Sequence, residues 1–146
     1  MVLLIDTTDP ESAHLVLVLN NKKKFEHKFQ VERNLSERLV PEIQKFLEKL
    51  RQRRIRPNSV KKSGGKNFLF SGIEKIAVIT GPGQFSKIRT AVATANALAY
   101  GLGIPVVGVK LAEKNNLAKI LKHPGSQAAK PFYDRGPNIT FSKRTL

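Results

Sequence analysis

Asp6 ends the apolar run Val2–Ile5 and is followed at once by Thr7 and Thr8. A buried strand that releases an acid and two hydroxyls at its carboxyl end can present oxygen ligands or hydrogen bonds at a sheet edge. Two-metal hydrolysis would need further carboxylates converging there. The sequence offers Glu37 and Glu42 near the start of a later helix, while the strand through Ile79 ends in Thr80 and Gly81. One convergent acid does not make a metal site. Gly81-Pro82-Gly83 precedes a helical run, where backbone donors can cradle an anion. It lacks the spacing of a phosphate-binding loop, Lys87 is only loosely placed, and two glycines around a proline more often make a sharp turn. His14, His27 and His123 form no metal-binding pair, and no spacing assembles a Ser-His-Asp set. The absence of cysteine excludes disulfides, zinc ribbons and thiol catalysis. The residues therefore predict no catalytic group, no metal and no cofactor.

The element that any site must be built around is the stretch from Ile76 to Val109. It reads as a strand (Ile76–Ile79), a tight turn at 81–83, a helix from Ser86 to about Leu102, and a second strand (Val106–Val109). That is the βαβ unit of a parallel sheet. Its helix is lined with small residues, among them Ala91, Ala95 and Ala99, which let another element approach closely. Before it, Val2–Ile5, His14–Leu19 and the alternating Phe25–Val31 read as three strands of an antiparallel meander, with a turn signal at 20–22. Asn34-Leu35-Ser36-Glu37 reads as a helix start. Leu39, Val40, Ile43, Phe46, Leu47 and Leu50 then recur at helical spacing, and Pro41 falls early, where losing a donor is least harmful. A further helix is expected over 112–121, and an extended tail or edge strand beyond 130. The order β-β-β-α-β-α-β-α predicts an α/β fold of the ribonuclease-H-like or half-actin-like (ASKHA) type, a mixed sheet of about five strands with flanking helices. The expected division is residues 1–112 as this domain, with a basic insertion at about 51–72, and 113–146 as a short helix and basic tail.

Of 146 residues, 26 are Lys or Arg and 11 are Asp or Glu, a net charge of +15. Such an excess attracts phosphate backbones and acidic surfaces. Between 49 and 66 no acid occurs, and Arg51, Arg53, Arg54, Arg56, Lys61, Lys62 and Lys66 form a run suited to phosphate neutralisation rather than base reading. The aromatic interleaving of a stacking platform is not evident: there is no Trp, and the Tyr residues are Tyr100 and Tyr133. The amino terminus has no basic region before its short apolar run, and Gly101, Gly103 and Pro105 interrupt the longest apolar stretch, so a cytoplasmic location is expected.

Three stretches carry a resemblance. Ile5-Asp6-Thr7-Thr8, Ser36-Glu37-Arg38-Leu39-Val40-Pro41, and Gly81-Pro82-Gly83-Gln84-Phe85-Ser86-Lys87-Ile88-Arg89 resemble, in order and spacing, the signature stretches of the TsaB (YeaZ) family, apart from the basic insertion. Gln84, Ser86, Lys87 and Ala91 depart from the usual third motif, and Leu35 stands where His is common. The resemblance implies a short form lacking most of the second lobe, without independent ATPase activity. It implies a non-catalytic subunit docking on its paralogue TsaD, joined by the ATPase TsaE, in the complex that adds a threonylcarbamoyl group to adenosine 37 of tRNAs reading codons that begin with A. It further implies pairing through the first helix (Leu39, Ile43, Phe46) and the small-residue helix (Ile88, Ala91, Val92, Ala95, Ala99), with self-pairing as a homodimer when alone. Gly81, Pro82, Gly83, Phe85 and Arg89 form the motif turn, and the basic run would touch tRNA within the complex. A stand-alone RNA-binding module on the same fold is the competing reading.

Overall fold

The structure is a computed structural model and describes residues 1–20, 24–31, 34–53, 55 and 68–134. Five strands form one mixed sheet: β1 (Val2–Asp6), β2 (Ser12–Val18), β3 (Lys24–Gln30), β4 (Lys75–Gly81) and β5 (Val106–Lys110), in the order β3-β2-β1-β4-β5. The first three pair antiparallel, with Val2 opposite Val18 and Asp6 opposite His14. β4 lies parallel to β1, and β5 parallel to β4, with Ile76 beside Val106. This is the ribonuclease-H-like sheet that the element order predicts. Its central strands β1 and β4 are buried along almost their whole length, which is why they read as unbroken apolar runs rather than alternating ones. The edge strand β3 alternates, turning Phe25, His27 and Phe29 inward and Glu26 and Lys28 outward.

Two long helices, α1 (Leu35–Gln52) and α2 (Phe85–Leu102), cover one face. Leu39, Ile43 and Phe46 of α1 and Ile88, Ala91, Ala95 and Ala99 of α2 pack on Leu3, Ile5, Leu15, Leu17, Ile76 and Val78. The opposite face gathers Val2, Leu4, Val16, Val18, Ala77, Ile79, Val107 and Val109 with Ile120 of the short helix α3 (Leu117–Lys122). Asn34 is the N-cap of α1, but its side chain reaches Glu37 instead of a backbone donor. Pro41 sits in the second turn, beyond the free amino-terminal donors, so one helical hydrogen bond is missing there.

The helix expected over 112–121 is broken. A 3-10 turn spans Leu111–Glu113, and Asn116 starts α3 afresh, its Oδ1 accepting from the Lys119 amide at 3.0 Å. The chain then doubles back. Ser126 bridges Val106 antiparallel, Ala129 exchanges two hydrogen bonds with the Asn96 side chain on α2 (2.8 and 3.0 Å), and the Phe132 amide donates to the Thr80 carbonyl at 2.8 Å. Residues 126–132 thus strap β5, α2 and the end of β4 together. No helix among the described residues is long and apolar enough to cross a membrane.

Candidate functional site

The three motif stretches meet at one end of the sheet. Asp6 folds the chain after β1: its Oδ1 accepts from the Thr8 amide at 3.0 Å and from the Thr8 hydroxyl at 2.6 Å, and Lys114 Nζ lies 3.4 Å from Oδ2. Thr7 is fully buried and donates its hydroxyl to the Lys87 carbonyl, 3.1 Å away in the first turn of α2. Lys87 is itself buried, its ammonium donating to the Pro10 carbonyl. The first and third stretches are therefore fastened together by buried polar groups with partners, a structural role for residues that sequence alone left open to ligand chemistry.

The turn between β4 and α2 explains its glycines. Gly81 has φ +127°, and a Cβ there would fall on the Phe132 carbonyl oxygen. A Cβ on Gly83 would press on the Ile88 side chain at 3.1 Å and on Thr8 Cα at 3.3 Å. The Gly81–Pro82 bond is cis. Between the amino ends of α1 and α2 lies a cleft of about 310 Å³ lined by Val31, Leu35, Ser36, Gln84, Ser86, Lys87 and Thr90. Neither helix has a side-chain cap on its backbone donors.

The carboxylates do not converge. Asp6 closes its own turn, while Glu42 lies on α1 facing β3, 3.0 Å from His27 Nε2 and 3.0 Å from Lys45 Nζ. The hydrogen bond from His27 holds the Glu42 carboxyl below its usual range, and Lys45 adds to it against an opposing burial effect. His27 is also stacked against Phe29 and Phe46, at 5.9 and 5.6 Å between ring centres. His14 pairs with Glu26 on the outer strands, and His123 accepts from the Gly125 amide. Among the described residues no group of three or more His, Cys, Asp or Glu side chains could hold a metal ion.

The residues expected to face a partner face the sheet. Leu39, Ile43, Phe46, Ile88, Ala91, Val92, Ala95 and Ala99 are all buried in the chain's own core, so they cannot be the contact surface of this folded chain. The sheet takes them because they lie on the same sides of α1 and α2 as the other apolar residues. The outward side of α2 is small as well: Ser86, Thr90, Ala93, Ala97 and Gly101 follow one another three or four residues apart, and share one face. A Cβ added at Gly101 would meet nothing within 4 Å. On α1 the exposed residues include Ser36 and Val40, one turn apart, the latter apolar and 37% exposed. Arg51 and Arg53 are exposed at the carboxyl end of α1; Arg54, Arg56, Lys61, Lys62 and Lys66 lie outside the described residues.

One cluster went unread in the sequence. Phe85 stacks on Tyr133 at 4.9 Å, Arg89 lies 5.1 Å from the centre of the Phe85 ring, and Lys110 lies 5.5 Å from that of Phe132. These residues are far apart in the chain, and only the returning strap unites them.

Comparison with known proteins agrees with this architecture. Residues 29–131 match the model of the family described as TsaD, tRNA N6-adenosine threonylcarbamoyltransferase. Curated proteins of that name are similar over shorter stretches: one from Geotalea daltonii at 52% identity over 52 residues, and one from Desulfitobacterium hafniense at 43% over 56 residues. These matches cover 36% and 38% of this chain but 15% and 16% of the relatives. Among solved structures, YeaZ from Pseudomonas aeruginosa superimposes with a TM-score of 0.58 at 25% identity. It covers 82% of this chain, which spans about half (48%) of that one. A second structure, titled as an uncharacterised protein with similarity to peptidase YeaZ from the same organism, gives the same TM-score at 24% identity and supports the fold.

Proposed function

The chain belongs to the TsaB/TsaD family, to which the matched threonylcarbamoyltransferase model extends over residues 29–131, and we propose that within it the chain takes the place of TsaB. In this reading it is a non-catalytic subunit that docks on TsaD and supports transfer of a threonylcarbamoyl group to adenosine 37 of tRNA. The likeness to YeaZ over 82% of the chain supports the TsaB place, as do the three signature stretches meeting at one end of the sheet.

The observation that carries the docking proposal is the outer face of α2. Ser86, Thr90, Ala93 and Ala97 leave the backbone nearly bare ahead of the exposed Tyr100, so a second helix can approach there to the short end of the usual 8–10 Å spacing. Ser36 on α1 lines the cleft that Ser86 and Thr90 line from α2, and Val40, one turn further along α1, is exposed. A partner helix laid on this face would place its own side chains against the Ala93–Ala97 shelf. TsaD is the partner in this reading, TsaE joins the assembly, and self-pairing through the same face gives a homodimer when the chain is alone. Arg51 and Arg53, with the basic run that follows them, neutralise tRNA phosphates in the assembled complex.

The test is reconstitution. TsaD and TsaE of the same organism, given an activated threonylcarbamoyl donor and tRNA, should form the modified adenosine when this chain is added and little without it. Equal product with and without the chain would refute the role, and product from the chain without TsaD would refute its non-catalytic place.

A further inference from the structure

The patch formed by Phe85, Arg89, Lys110, Phe132 and Tyr133 combines large exposed rings with cations. Phe85 is 55% exposed, Phe132 44% and Tyr133 40%. These rings are not needed to fasten the strap. Residues 126–132 are already held by the Asn96 clamp on Ala129, by burial of Ala129, and by the Phe132 amide on the Thr80 carbonyl. A ring serving only as a fastener would be turned inward, as Phe29 and Phe46 are. Instead the three rings stand at the carboxyl ends of β4 and β5 and the amino end of α2, with the Arg89 guanidinium and the Lys110 ammonium against ring faces. Lys130 and Asp134 flank the two tail aromatics in sequence, and the whole chain carries +15.

We propose that this patch is a stacking platform for single-stranded nucleic acid. Unpaired bases stack on rings whatever their sequence, while Arg and Lys beside the rings meet the backbone phosphates, and Arg can itself stack on a base. Arg89 and Lys110 beside the rings give the patch the cations that a polyanionic strand needs alongside stacking faces. The platform is distinct from the proposed Ala93–Ala97 shelf and does not depend on docking to TsaD, so the isolated chain should show it.

The experiment is fluorescence anisotropy of labelled single strands of about 12 nucleotides, one RNA and one DNA, beside a duplex of the same length. Single strands should bind more tightly than the duplex, and the RNA and DNA arms identify the preferred sugar. Phe85→Leu combined with Tyr133→Leu should weaken single-strand binding by about tenfold with an unchanged salt slope, because no charge is removed. Arg89→Ala should lower the slope by about one. Tyr133→Leu alone, at an exposed tail position, provides the same reading with less effect should the double variant melt early. Equal affinity of the leucine variants and the wild type, or equal affinity for duplex and single strand, would overturn the platform. Loss of TsaD binding in those variants, with oligonucleotide binding intact, would overturn it too and make the patch a protein contact.

Discussion

Glu42 shows how a carboxylate near a motif stretch can be taken up by the fold itself. In the sequence it joins no converging set of acids, and the fold turns it toward β3, where His27 and Lys45 hold it. With its folded pKa held below the ordinary 4.5, it contributes stability that is fully present above that value and lost as pH falls through the folded one. Glu42→Gln should therefore flatten the acid side of the stability curve and lower the stability near pH 7 by the loss of a charge-assisted bond, about 1–3 kcal/mol. Melts from pH 3 to 7 check this; an unchanged acid limb would show that Glu42 is not the group responsible. At this scale the sequence was legible for Gly81 and Gly83, since glycines around a proline announce a turn. It was silent on Thr7 and Lys87, whose partners lie about 80 residues away in the chain.

At the scale of elements, period and composition foretold the meander, both long helices and the βαβ unit, because each keeps one apolar period throughout. What they could not decide was which face of α2 meets the sheet. Ala91, Ala95 and Ala99 inside and Ala93 and Ala97 outside are chemically alike, and the inner side is marked by Ile88, Val92, Leu98 and Leu102. The break near 114–116 did have a local signal, an Asn before an apolar turn, which is a preferred cap. Two consequences separate these assignments. Ala95→Glu places a charge in the core and should unfold the chain or lower its stability by several kcal/mol, whereas Ala97→Glu should melt within about 0.5 kcal/mol of the wild type. The strap can be tested in the same way. Asn96→Ala removes both hydrogen bonds to Ala129, and should cost about 1–2 kcal/mol of local docking. Hydrogen exchange at the Ala129 and Phe132 amides should quicken about tenfold while β1 and β4 stay protected; unchanged exchange would show that Asn96 does not hold the strap.

For the whole molecule, the sheet, its two covering helices and its charge describe a small basic body with two separate surfaces. One is the small-residue outer side of α2, and the other is the aromatic patch where the strap returns. Neither was legible as a surface from the chain alone, because both depend on orientation and on contacts between distant segments. The proposed role depends on the first of them. Purified TsaD from the same organism should be titrated, by light scattering or calorimetry, with the wild-type chain and with Ala97→Glu, both confirmed folded by thermal melting. The account predicts a stable heterodimer with the wild type and at least a tenfold loss of affinity with Ala97→Glu, about 1.4 kcal/mol or more. An equally tight heterodimer in both, or none with the wild type, would contradict it.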